Sequence, residues 1–132
     1  MPDEGGREAD VMWLRAVRGA TAVATDEREG LCDAVRELLT EMMRNNGIAT
    51  EHIVSVFFTT TADLRSEFPA RAAHAIEGWN EVPMICSVEI DVPGALPRCI
   101  RVLIHFYSQM DRASVRHVYL HEAQKLRPDL TG

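Results

Sequence analysis

PRCIRVLIHF, residues 97–106, is an apolar, β-branched run with a cation in its middle. Read as a strand it has two faces, because successive side chains point to opposite sides. Ile100, Val102, Ile104 and Phe106 make one unbroken apolar face. Cys99, Arg101, Leu103, His105 and Tyr107 make the other, which suits neither a closed core nor free solvent. What that second face meets decides what the protein does.

Working outward, the turn PGALP joins this strand to VPMICSVEIDV (82–92), a third strand. Before it, IVSVFFTT (53–60) is apolar on both faces, as expected in the middle of a covered sheet. Between them Pro69 opens a short helix, PARAAHAIE, closed by Gly78. Residues 12–18, MWLRAVR, read as a first strand ended by Gly19. Asp26 then fits a helix N-cap, with Glu29 in capping-box position. Leu31, Val35, Leu38, Leu39, Met42 and Met43 follow at helical spacing as one apolar stripe, which Asn45, Asn46 and Gly47 stop. VRHVYL (115–120) reads as a final strand, followed by a helical turn at EAQKL. The order β-α-β-α-β-β plus a terminal strand predicts an α/β (α+β) mixed sheet of about five strands with helices on one face. Residues 1–10 read as a flexible N-terminal tail, and 11–132 as a single domain.

A net charge of -6 without a basic stripe disfavours nucleic acid. No apolar run approaches the roughly 20 residues that span a bilayer, which excludes a membrane helix. The acidic start MPDEGGREAD lacks the order of a signal peptide, and Cys32, Cys86 and Cys99 give neither a disulfide framework nor a metal spacing. A reducing cytoplasm is the expected setting. Thirteen of the fourteen basic residues are arginine, Lys125 being the exception. Codon usage explains such a count without function, so individual positions must carry the case.

Two helices cover only one face of such a sheet. In the third strand Met84, Cys86, Val88 and Ile90 alternate with Ile85, Ser87, Glu89 and Asp91. The face bearing Leu103 and Tyr107 is too apolar for water, and association of subunits would cover it. Arg101 and Glu89 then lie in or beside an interface cleft, where a cation is costly unless paired. Two readings stay open: a structural Arg101–Glu89 ion pair, or a site for an anionic ligand.

Four further segments, RAVRGATAV (15–23), FPARAA (68–73), GWNEVPMICSVEIDVPGALPRCIRV (78–102) and VRHVYLHEAQKLRPDL (115–130), add a resemblance. Together they make the chain resemble the monofunctional, trimeric chorismate mutases of the α/β class, a trimeric pseudo-α/β-barrel. The resemblance implies a homotrimer that converts chorismate to prephenate, a step toward phenylalanine and tyrosine, with active sites between subunits and no cofactor or metal. It makes Arg101 the donor to the ether oxygen and Glu89 the carboxylate facing the ring. Arg18 becomes a carboxylate ligand, Tyr119 a further donor to a carboxylate, and Cys86 a contact beside the ring. Phe68, Ala70 and Arg71 come from the neighbouring subunit, and Arg127 closes over the site. His74 stands where the family has a second arginine, and Arg71 keeps the cation where lysine also occurs. Because Cys86 and Glu89 lie on opposite faces of a regular strand, their sharing one ligand predicts a bulge or bend between them. His105 and His117 read as structural. The alternative is a trimeric domain of similar architecture that binds small metabolites or hydrolyses imines, which would not need Arg18, Glu89 and Arg101 together.

Overall fold

The two faces of the central strand part as the alternation requires. In a computed structural model describing residues 11–128, β4 (Cys99–Ser108) buries Ile100, Val102, Ile104 and Phe106 completely or nearly so. On the other face Arg101 and Tyr107 are exposed and Leu103 and His105 half-buried, whereas Cys99, at the start of the strand, is buried against expectation. The tail expected for residues 1–10 lies outside the described residues.

β4 is the middle of a five-stranded sheet of order β3-β2-β4-β1-β5. It pairs antiparallel with both β1 (Trp13–Ala22) and β2 (Ile53–Thr60). β3 (Met84–Val88) runs parallel to β2 at one edge, and β5 (Val118–Tyr119) parallel to β1 at the other. The helical stripe packs on the closed face: α1 (Arg28–Asn46) buries Leu31, Val35, Leu38, Leu39 and Met42 against Val17, Val56, Phe58 and the inward side chains of β4. Gly47, at φ 59°, ends α1 in the left-handed region where glycine is favoured.

Several boundaries differ from expectation. β1 runs through Gly19 to Ala22, because Gly19 is a packing residue and not a stop. A Cβ there would lie 2.4 Å from Sδ of Met42, so only glycine lets α1 approach this closely. Asp26 does not cap α1, whose N-cap is Glu27 without a side-chain bond. Its carboxylate instead accepts from the backbone N–H groups of Arg65 and Ser66, at 3.0 and 3.1 Å, and so holds the loop after β2. The second helix, α2 (Pro69–Ala73), is five residues long. Beyond it the chain tightens into three-residue turns, Ala75 to Ala72 and Ile76 to Ala73, that bring Trp79 into the core. β3 stops at Val88 because its partner β2 stops at Thr60. β5 pairs over two residues only, and residues 121–126 follow as a 3₁₀ helix.

The open face carries Leu14 and Ala16 of β1, Tyr107 and His105 of β4, Phe57 of β2 and Ile85 of β3. Leu14, Phe57, Tyr107 and Ile85 are each about half exposed, at 51, 48, 48 and 57%. A contiguous apolar surface of this kind marks an interaction face. No helix of the described residues is long and apolar enough to cross a membrane.

Candidate active site

Register brings the charged residues of the open face together. Arg101 of β4 lies opposite Ala20 of β1 and Thr59 of β2, while Arg18 lies opposite Leu103. Tyr119 pairs with Ala20 and so joins the same face from β5. These side chains, with Phe57, line a cavity of about 290 Å³. Glu89 reaches its edge because its N–H donates to the Thr60 carbonyl at 2.8 Å, which extends the β2–β3 ladder by one residue. The carboxylate is held twice: Thr59 Oγ1 donates to Oε2 at 2.6 Å, and Nε of Arg101 lies 3.4 Å from the same oxygen.

The Arg101–Glu89 pair therefore exists, at the mouth of a cavity and not inside a core. Arg101 keeps 45% of its side chain exposed, so solvent screens the pair and its contribution to stability is small. Arg18 differs. Among the described residues its exposed guanidinium makes neither an ion pair nor a hydrogen bond, so it does not cap loop carbonyls. Two cations thus line one small cavity, and only one of them has a carboxylate. That arrangement suits an anionic ligand.

The other expected residues gather elsewhere. Cys86 pairs with Phe58 and points to the closed face, whereas Glu89 shares the open face with Thr59. The β2–β3 register runs without a break from Val56–Met84 to Thr60–Val88, so the expected bulge is absent. The reason is simple: each residue from 84 to 88 has its own partner in β2, which leaves no extra residue to turn the strand. Cys86 instead lines a second cavity, of about 320 Å³, with Phe68 at its rim. Phe68 is 62% exposed, and the Arg71 guanidinium lies 5.9 Å from its ring centroid. Nε of Arg71 is also 3.4 Å from Oε1 of Glu67. Ala70 and His74 complete a shallow surface beside them. Phe68, Ala70, Arg71 and Cys86 thus form one cluster at the β3 edge, apart from the Arg18, Glu89, Arg101 and Tyr119 cluster.

Comparison with known proteins places the chain in a family. The family model of chorismate mutase type I matches residues 14–130. The chain belongs to this family. It is 48% identical over 118 residues to the chorismate mutase AroH of Thermus thermophilus, covering 89% of this chain and 96% of that protein. It is 38% identical over 120 residues to the AroH chorismate mutase of Bacillus subtilis, covering 91% and 94%. A solved chorismate mutase from Clostridium thermocellum shares the fold with a TM-score of 0.81 and 41% identity, covering 83% of this chain and 97% of that one.

Within this chorismate mutase fold some residues carry no sequence signal as site residues. Phe57 and Thr59 look like ordinary members of an apolar strand, and only pairing with Leu103 and Arg101 places them in the cavity. His117, read as structural, accepts at Nδ1 from the backbone N–H of Arg18 at 3.0 Å. Arg127 lies near enough for its charge to reach that ring. A larger concavity, about 740 Å³, lies elsewhere, between the end of β1 and the start of α1. It is an open groove that shares no residue with the arginine cavity.

Proposed function

We propose that the protein rearranges chorismate to prephenate by a unimolecular [3,3] shift, with no covalent intermediate and no cofactor. The observation that carries this reading is the pair of arginines in one cavity, Arg101 matched by Glu89 and Arg18 unmatched. Chorismate has two carboxylates and an ether oxygen that gains negative charge as its C–O bond breaks. Arg18 and Tyr119 take a carboxylate. Arg101, oriented through Nε by Glu89, turns its remaining donors to the ether oxygen. Glu89, fixed by Thr59, accepts from the substrate hydroxyl and offsets the positive character of the allyl fragment. Catalysis comes from holding the compact chair and from donors already placed where charge develops.

The protein acts as a homotrimer in this reading. The support is the exposed apolar face and the division of the site residues into two clusters on opposite sides of the sheet. A ring of copies lets the Phe68, Ala70, Arg71 and Cys86 cluster of one subunit meet the arginine cavity of the next. Cys86 and Glu89 then touch one ligand without any bulge, because they come from different subunits. Arg127 closes over the substrate, and His74 leaves that wall with one cation, Arg71. Residues 11–132 act as one domain, in the cytoplasm.

The test is to follow the loss of chorismate absorbance and identify the product by NMR. Prephenate should form saturably and far above the uncatalysed rate. Arg101→Ala should lower kcat by about 10² to 10³, roughly 3 to 4 kcal/mol of transition-state stabilisation, in a folded protein. Turnover near that of the wild type by this variant would remove Arg101 from the ether oxygen.

A further inference from the structure

β5 is two residues long, yet it sets Tyr119 in the cavity and starts the segment that leads to Arg127. Its hydrogen bonding shows what holds it. Leu120 N–H donates to the Ala20 carbonyl at 2.9 Å, as a parallel ladder requires. Two residues back, the same ladder would have the Arg116 carbonyl accept from the Arg18 N–H. That carbonyl is turned away and accepts from Nδ2 of Asn46 at 2.9 Å. Arg116 N–H donates to Oδ1 of the same buried Asn46 at 2.7 Å, so both backbone groups of Arg116 are committed to α1. The Arg18 N–H is met by a side chain instead, Nδ1 of His117 at 3.0 Å.

We propose that His117, as a neutral ring carrying its proton on Nε2, is a positioning residue that fixes the backbone of Arg18 against β5 and thereby sets the Arg18–Tyr119 pair for the substrate. This rests on the reading of Arg18 as a carboxylate ligand. A proton on Nδ1 would turn the acceptor into a donor facing a donor, and the contact would open. Burial first, then the charges of Arg18 on β1 and Arg127 on the C-terminal segment, hold the ring's pKa below its ordinary 6.5. The sign follows: the unfolded chain binds the proton more readily, so the contact is intact above about pH 6.5 and is lost as pH falls toward the depressed folded value. Arg18 thus helps burial to keep its own support neutral.

Nitrogen NMR on the intact protein should show Nε2–H on His117 and a through-hydrogen-bond coupling between its Nδ1 and the Arg18 amide. Kinetics separates positioning from mere structure. His117→Ala should lower kcat/KM roughly 5- to 50-fold, chiefly through KM, because the Arg18 N–H loses the acceptor that holds it against β5. His117→Asn keeps an oxygen near the Nδ1 position without titrating. It should hold kcat/KM within about threefold of wild type and flatten the rise of KM expected of the wild type as pH falls below about 6.5. Should His117→Ala fail to fold, the Asn profile decides alone: an unaltered pH dependence overturns the proposal. So does an unchanged KM in a folded His117→Ala protein when Arg18→Ala raises KM. If Arg18→Ala itself leaves KM unchanged, the carboxylate reading falls and the positioning role falls with it.

Discussion

The two faces of β4 share one backbone and the same two neighbours, yet they do different work. On the closed face every side chain from Ile100 to Phe106 meets α1 or the strands beside it, and nothing polar intrudes. On the open face, among the described residues, a cation, a histidine and a tyrosine stay exposed or half-buried. Stability within the subunit is concentrated on one side, and recognition on the other. A mutation's effect should therefore depend on its parity along the strand more than on its position.

The sharpest test sets Phe106 beside Tyr107. Phe106 is fully buried, and Phe106→Ala should destabilise the protein by about 3 to 5 kcal/mol, measured by denaturant unfolding. Tyr107→Asp, one residue on, should leave the subunit's own packing intact. In an assembly that covers the open face it would place an unpaired charge in the interface. The expected result is a folded but dissociated protein by light scattering, with activity lost along with association. If Tyr107→Asp unfolds the chain, or leaves a stable active assembly, the division between the faces is wrong.

A smaller effect is expected where the closed face is already tight. Gly19→Ala pushes a methyl group against the buried thioether of Met42, and overpacking of this kind costs about 1 to 3 kcal/mol. The loss should appear in thermal unfolding, with KM for chorismate little changed, because Gly19 presents no side chain to the cavity. A gain in stability would mean that Met42 yields freely and that β1 does not need its glycine.

These cases mark how much of the fold is legible in the sequence. The alternation in CIRVLIHF carries both faces, and the stripe on α1 carries the core, because each is a local periodicity that packing merely confirms. Gly19 is opaque, since a glycine that ends a strand and one that admits a helix look alike in sequence. Asp26 shows the same limit: a capping pattern is local, while its actual partners lie 39 and 40 residues away. His117 looks solitary because its partner is a backbone N–H 99 residues back. Arg101 and Glu89 could be paired from alternation, but the contrast between a matched Arg101 and an unmatched Arg18 needs the register of β1 on β4.

Cys86 tests the comparison from its weakest side. It belongs by parity to the closed face, yet it opens on a cavity rimmed by Phe68 at the sheet edge. Its proposed role is contact with the substrate ring across a subunit boundary, and such a contact serves ground state and transition state alike. Cys86→Ala removes one sulfur from a partly filled wall and leaves every charged group in place. The expected loss in kcat/KM is within about tenfold, well below that of Arg101→Ala, because no developing charge is abandoned. Cys86→Ser, which keeps the volume, should do less still. A folded Cys86→Ala protein without activity would mean that the thiol bonds covalently to substrate, and the chemistry would then belong to the β3 edge and not to the arginines of the open face.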